Sequence, residues 1–333
     1  MPSARTRRLL LPVEQEAIFR SNDADDPRIG DLLTRSDAVP DTAACVAVIV
    51  GVPQHIGVER NGGRAGAAAA PLHIRRALTR LATSDIVDVV RSGQLVITDV
   101  GDIDTDGKTL EQIHDEQHDV VAHLLQRGYV PIVLGGGHDT AWPTIHALNT
   151  VGKPYGVINV DAHADVRPLK DEARAHSGSP FRQMLTASPS AIVEGGFVEF
   201  GLQHHAVAMA HRAFVTDCGM HVMMLDDVRR QGFGEAWDQA LSRAGAGESL
   251  YVSLDMDAFA SAFAPGVSAP GADGMVPAEL GACLRRAAGL PQFRVFDVVE
   301  CNPSFDIDGR TAKLAAIMIA EVLAGLSDGL RRS

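Results

Sequence analysis

The sequence is short of the residues that mark several common protein classes. It has only four cysteines, Cys45, Cys218, Cys283 and Cys301, with no Cys-x-x-Cys spacing among them. That argues against a thiolate zinc ribbon, and a chain of this length does not need disulfide staples, so reduced, buried thiols in a cytoplasmic protein are expected. Basic residues are outnumbered, 30 Lys and Arg against 42 Asp and Glu, leaving a net charge of −12. With no basic stretch to offset that charge, nucleic acid and anionic membrane surfaces are not expected partners. No segment approaches the roughly 20 apolar residues of a membrane-crossing helix. Arg5, Arg7 and Arg8 precede Leu9, Leu10 and Leu11, but Pro12 ends that run too early for the apolar core of a secretory signal. Internal repeats, low-complexity tracts and an interdomain linker are absent as well.

What is present reads as an ordinary globular composition, with 46% hydrophobic and 22% charged residues, ample for a large core. Residues 1–42 are polar and rich in Asp and Pro (Asp23, Asp25, Asp26, Pro27) and are expected as an N-terminal arm over the surface. Residues 43–330 are expected as a single catalytic domain. Within it, short apolar, β-branched runs recur at 45–52, 95–100, 130–134, 155–160, 197–202, 221–225, 250–254 and 293–299. Runs apolar on both faces are buried strands. Helical patterns separate them at 72–81, 110–126, 141–148, 206–214, 226–243, 277–288 and 311–326. The alternation predicts an α/β fold: a three-layer α/β/α sandwich around a mainly parallel, roughly eight-stranded sheet.

Ligands of such sheets bind beyond the carboxyl ends of the strands, and the polar motifs sit there. Gly135-Gly136-Gly137-His138-Asp139 follows the third run and Asp161-Ala162-His163-Ala164-Asp165 the fourth; Asp255-Met256-Asp257 follows the seventh, and Glu300 closes the eighth. At i, i+2 and i+4 in extended backbone, Asp161, His163 and Asp165 project to one side. Asp255 and Asp257 repeat the device. With His138 this makes four carboxylates and two imidazoles converging from three strand ends. Four carboxylates gathered together repel one another and are costly to desolvate. Two divalent cations bring +4 against −4; one would leave −2 and little use for six ligands. A set that is mostly hard oxygen with some imidazole suits Mn²⁺, so two Mn²⁺ per chain are expected. A lone Asp after a strand is usually a turn or helix cap, but the five-residue Asp-x-His-x-Asp pattern is far rarer.

At these residues the chain resembles the arginase/agmatinase/formimidoylglutamase (ureohydrolase) superfamily from about residue 45 to 325. The resemblance implies an arginase-like fold in which His138, Asp161, Asp165 and Asp255 hold one manganese. Asp161, His163, Asp255 and Asp257 then hold the other, with Asp161 and Asp255 bridging. It also implies a homo-oligomer, a trimer or hexamer. Four further stretches resemble bacterial formimidoylglutamases: 58–67, 176–183, 263–270 and 301–312. The implied reaction is a hydrolysis at the C–N bond of a linear amidine. Its expected form is N-formimidoyl-L-glutamate plus water to L-glutamate plus formamide, in histidine degradation. Three residues carry expected catalytic roles. Asp165 is positioned to take a proton from the attacking water, Glu300 resembles the family carboxylate that pairs with the amidinium, and His176 resembles the histidine that shuttles protons at the cleft mouth. A substrate with acidic groups calls for guanidinium partners, and Arg64, Arg167 and Arg182, on loops near the motifs, are the candidates. Another ureohydrolase of agmatinase, guanidinobutyrase or arginase type is the nearest alternative, and a non-catalytic arginase-like scaffold a distant one. A metallophosphoesterase fits less well, because its Gly-Asn-His-type motif should follow the Asp-x-His, whereas here the Gly-rich motif precedes it.

Overall fold

The protein is described by a computed structural model covering residue 6 and residues 8–40, 42–82, 84–171 and 173–332. Arg5 and Arg7 lie outside the described residues. Among the described residues ten strands form one sheet: β1 (Leu10–Leu11), β2 (Leu33–Thr34), β3 (Cys45–Gly51), β4 (Leu95–Ile103), β5 (Val130–Leu134), β6 (Tyr155–Val160), β7 (Ile192–Leu202), β8 (His221–Met224), β9 (Ser249–Asp255) and β10 (Phe293–Val299). The order is β1-β4-β3-β5-β10-β9-β6-β7-β8, with β2 also pairing β4. Every pairing is parallel except β1 with β4.

Successive residues along a strand feed opposite cores, as a sheet covered on both faces requires. On β3, Ala47 and Ile49 join one buried cluster, which packs the helices Ala70–Leu78, Phe233–Ala244, Pro277–Ala288 and Arg310–Arg332. Val46, Val48 and Val50 face the other side, toward Leu110–Gln126. Further along the sheet Ala141–Val151 and Pro180–Thr186 pack on that second side. The sandwich therefore has the three expected layers. Helix Leu110–Gln126 starts where predicted because Thr109 and Gln112 form a reciprocal capping box.

The boundaries differ in places for identifiable reasons. The helix expected over 226–243 is two, Leu225–Gln231 and Phe233–Ala244, broken at Gly232, which has φ +98°. β4 runs past its apolar residues to Ile103, because Asp99 and Asp102 are paired by the buried Arg75. Residues before 43 do more than cover the surface: β1 and β2 extend the sheet, and Ile29 and Leu32 enter the core. The four strands carrying the polar motifs, β5, β10, β9 and β6, are consecutive in the sheet. That adjacency brings residues 138, 161–165, 255–257 and 300 to one place.

Candidate metal centre

His138 lies just past β5, Asp161–Asp165 past β6, Asp257 past β9, and Asp255 is the last residue of β9. His138 Nδ1 lies 3.2 Å from Asp161 Oδ2 and 3.1 Å from both Asp165 Oδ2 and Asp255 Oδ2. On the other side, His163 Nδ1 lies 3.1 Å from Asp257 Oδ2 and 3.5 Å from Asp161 Oδ1. Two clusters result, with ligand atoms within 4.8 Å of one another: His138, Asp161, Asp165 and Asp255, and then Asp161, His163 and Asp257. Asp161 is shared and turns one oxygen to each. Asp255 falls in the first cluster only. Its Oδ1 accepts the Asp257 N–H at 2.8 Å, just as Asp161 Oδ1 accepts the His163 N–H at 2.7 Å, so each of the two aspartates expected to bridge keeps one oxygen on the turn that follows its strand.

The arrangement fits divalent cations. His138 Nδ1 is buried and has no hydrogen-bond partner although three carboxylate oxygens surround it. Asp257 Oδ1 is likewise buried and unpartnered. Orphaned buried polar atoms are rare and costly. Without metal, burial, with repulsion from Asp257 and Asp161, holds Asp255 well above the usual carboxylate range. Burial raises Asp257 to about 6. Asp161 moves the other way, held low despite its burial by the charges of His138 and His163 beside it. His163 is driven far up, first by the charge of Asp257.

Backbone conformation aims two of these side chains. Asp165 and Glu300 are non-glycine residues at φ +43° and +62°, a conformation that costs on the order of 1–3 kcal/mol and tends to be kept at functional sites. Glu300 is clamped to the β5 loop twice. Its N–H donates to Gly136 O, and its Oε1 accepts the His138 N–H, each at 2.9 Å. Gly136 must be glycine here, since a Cβ would meet Gln54 O at 1.7 Å. Burial, with the nearby charges of Asp257 and Asp165, raises Glu300 to about 8.

A cavity of about 250 Å³ opens over the clusters and is lined by Asn61, His163, Asp165, Arg167, Ser177, Asp255, Asp257, Ser268 and Glu300, with Gly62, Gly63 and Ala269. A larger one, about 580 Å³, lies at the opposite ends of the same strands, by Cys45, Val130, Ser249 and Phe293. Helix C-termini surround that second space together with Lys153, Arg294 and Arg332, and among the described residues it holds no cluster of metal-ligating groups.

Of the three arginines expected near the substrate, only Arg167 lines the cavity. One of its Nη atoms donates to Asn61 Oδ1 at 3.1 Å. Arg64 is turned away: its guanidinium donates to the carbonyls of Ser268 and Val267 and stacks on Phe305. Arg182 donates to Val166 O and stacks on Phe214. His176 is not at the mouth either. It is 2% exposed, its Nε2 hydrogen bonds Pro168 O at 3.0 Å and its Nδ1 accepts the Gly178 N–H at 3.2 Å. Both ring nitrogens thus brace the loop and none is left to carry protons. Replacing His176 by Ala is expected to lower stability by about 1–3 kcal/mol, the usual cost of leaving buried partners unmatched. Added imidazole should not change the variant's turnover; a rate restored by imidazole in His176→Ala would return this residue to proton transfer.

Several site residues carry no motif and were missed in the sequence: Ser253, Tyr251 and Asp297 behind His138, Asn159 beside Asp161, and Gln54 and His114 on Asp139.

Comparison with known proteins points to one family. The model of the Arginase family matches residues 46–325. A formimidoylglutamase of Rhodococcus opacus (strain B4) is 36% identical over 291 residues, covering 84% of this chain and 85% of that protein. One from Paraburkholderia xenovorans (strain LB400) is 32% identical over 289 residues, covering 83% and 87%. The crystal structure of Trypanosoma cruzi formiminoglutamase with Mn²⁺ superposes with a TM-score of 0.82 at 35% identity, covering 91% of this chain and 99% of that one.

Proposed function

The chain belongs to the arginase family, and from that membership we propose that it is a binuclear manganese hydrolase of linear amidines that converts N-formimidoyl-L-glutamate and water to L-glutamate and formamide. The observation that carries this reading is the pair of clusters sharing Asp161, open to a cavity that also holds one carboxylate, Glu300, and one guanidinium, Arg167. His138, Asp161, Asp165 and Asp255 would hold one Mn²⁺, and Asp161, His163 and Asp257, with Asp255 as the family resemblance implies, the other. When bound, the ions supply Lewis acidity, making water acidic enough to act as a nucleophile near neutral pH.

The chain's own residues do the rest. Asp165 faces the cavity and takes a proton from the attacking water at its carboxylate, then returns it to the departing amine. Glu300, anchored through His138 N–H, meets the planar N–C–N cation with its free oxygen, a charge-assisted contact. Arg167 pairs with a carboxylate of the substrate tail. Residence in the cytoplasm and assembly as a trimer or hexamer belong to the same proposal. Family resemblance supports the assembly. The four cysteines, all free, support a reducing compartment. No helix among the described residues is long and apolar enough to cross a membrane.

A substrate panel with Mn²⁺-loaded protein tests the reading. Formimidoyl-glutamate should exceed agmatine, arginine and 4-guanidinobutyrate in kcat/KM, and agmatine by the widest margin, because an amine tail offers the exposed Arg167 guanidinium no carboxylate to pair with. Arg167→Ala should raise KM for formimidoyl-glutamate about tenfold or more with both ions retained, whereas Arg64→Ala should act on stability. Agmatine as the best substrate would overturn the choice of substrate and leave the family chemistry standing.

Glu300→Gln keeps size and the acceptor for His138 N–H but removes the charge. Its kcat/KM should fall by at least ~10-fold, in line with about 1.5–3 kcal/mol for a hydrogen bond to a charged group, while Mn²⁺ content stays at the parent's value. An unchanged kcat/KM would remove Glu300 from the substrate contact.

A further inference from the structure

β10 carries one acid that the mechanism above does not use. Asp297 is fully buried, three residues before Glu300 and paired in register with Ser253 of β9. Ser253 Oγ donates to Asp297 Oδ1 at 2.6 Å, and Tyr251 OH donates to Oδ2. Ser253 Oγ also lies 3.0 Å from His138 Nε2. Tyr251, Ser253 and Asp255 alternate along β9 and so share one face of the sheet.

Counting protons fixes the direction of this chain. A serine hydroxyl has a single hydrogen, and here Asp297 receives it. The oxygen then has only lone pairs to offer His138, so Nε2 must carry the ring hydrogen, and in the neutral ring that a metal takes as ligand Nδ1 is a bare lone pair. Nδ1 is the atom that faces Asp161, Asp165 and Asp255 without a hydrogen-bond partner. Hydrogen bonding at one imidazole nitrogen commonly decides which nitrogen binds metal and how strongly.

We propose that Asp297, steadied from its far side by Tyr251, is a positioning residue that sets the tautomer of His138 through Ser253 and thereby strengthens Mn²⁺ binding in the first cluster. The inference rests on the reading of that cluster as a metal centre. Asn at 297 has nearly the same shape, but its amide can donate to Ser253. The serine proton is then free to turn toward Nε2, which favours hydrogen on Nδ1, where the metal belongs. Removing the Ser253 hydroxyl strands the Nε2–H without an acceptor.

The test uses full-length protein loaded with Mn²⁺ and equilibrated in Mn²⁺ buffers, with free ion counted by electron paramagnetic resonance. Parent, Asp297→Asn, Ser253→Ala and the double variant are compared. One of the two sites should weaken about 10–100-fold in either single variant, and the other should stay within about threefold. At saturating Mn²⁺, kcat and KM should return close to the parent's. Because the relay acts in series, the double variant should bind no more weakly than the worse single one, whereas independent structural damage would add. Tyr251→Phe should shift the same site in the same direction by less. If Asp297→Asn does not fold, Ser253→Ala, which removes no charge, carries the test. Parent affinity at both sites in these variants, or additive losses, would overturn the relay. A parent that binds fewer than two ions would overturn the metal-centre reading instead.

Discussion

Asp255→Asn is expected to hold no more than one Mn²⁺ per chain and to lose at least ~1000-fold in kcat/KM. Making water a nucleophile near pH 7 spans about nine pKa units relative to bulk water, and a centre missing one ion forfeits much of that. Asp255 is 2% exposed, with Oδ2 at 3.1 Å from His138 Nδ1 and Oδ1 accepting the Asp257 N–H. Asn preserves the acceptor for Asp257, so the turn after β9 keeps its hydrogen bond and the loss is one of charge at the first cluster. The effect on stability should have opposite signs in the two metal states. With ions bound, the variant is less stable than the parent, because binding to the native state contributes stability. With ions chelated, it is at least as stable, because one of several mutually repelling buried carboxylates is gone. If Asp255 merely supported the turn, its replacement by Asn would leave the stability of both states nearly unchanged. Two ions bound and activity within tenfold of the parent would remove Asp255 from the ligand set.

The residues of the two clusters were legible in the sequence because their spacing encodes their direction. Asp161, His163 and Asp165 alternate in extended backbone, and the parallel sheet delivers four strand ends to one place. Side chains reached by longer routes were not legible. Arg64 and Arg167 sit on comparable loops, and nothing in the local sequence says that Arg64 will fork onto the Val267 and Ser268 carbonyls over Phe305 while Arg167 faces the cavity. His176 was placed by its motif, but its partners, Pro168 O and Gly178 N, are backbone groups that no pattern names. The polar end of β4 hid for a related reason. Asp99 and Asp102 read as loop residues until Arg75, from a helix more than twenty residues earlier, is seen to neutralise them. Gly232 is a signal that the sequence does carry, since glycine within a helical pattern often marks a break. Asp297 was another: an acid inside the apolar run Phe293–Val299 has to be paired, and the pairing leads to His138.

Removing the ions should abolish turnover, by at least ~1000-fold on the same water-activation argument, and should also make stability depend on pH in a direction that can be worked out. In the metal-free folded protein Asp257 titrates at about 6 and Glu300 at about 8, both above their ordinary 3.8 and 4.5. Asp255, His138 and His163 are raised as well. A group raised on folding binds more protons in the native than in the unfolded state between its two pKa values. The stability it contributes is therefore full below the unfolded value, about pH 4 for the acids, and is lost as pH rises through the folded one. Asp161 has the opposite sign, but it is lowered from 3.8 and acts only below that. Between pH 5.5 and 8 all the raised groups push the same way, each proton difference being worth about 1.4 kcal/mol per pH unit. With Mn²⁺ present the carboxylates stay ionised and the imidazoles neutral, so this slope is absent. The fall in Tm on chelation should thus be larger at pH 8 than at pH 5.5, by about 5 °C or more at roughly 2–4 °C per kcal/mol. Scanning calorimetry of parent protein with Mn²⁺ and with chelator at the two pH values measures it. Activity that survives exhaustive chelation would defeat the metal requirement, and a chelation effect on Tm that is equal at both pH values, or greater at pH 5.5, would show that the buried carboxylates are not what the ions neutralise.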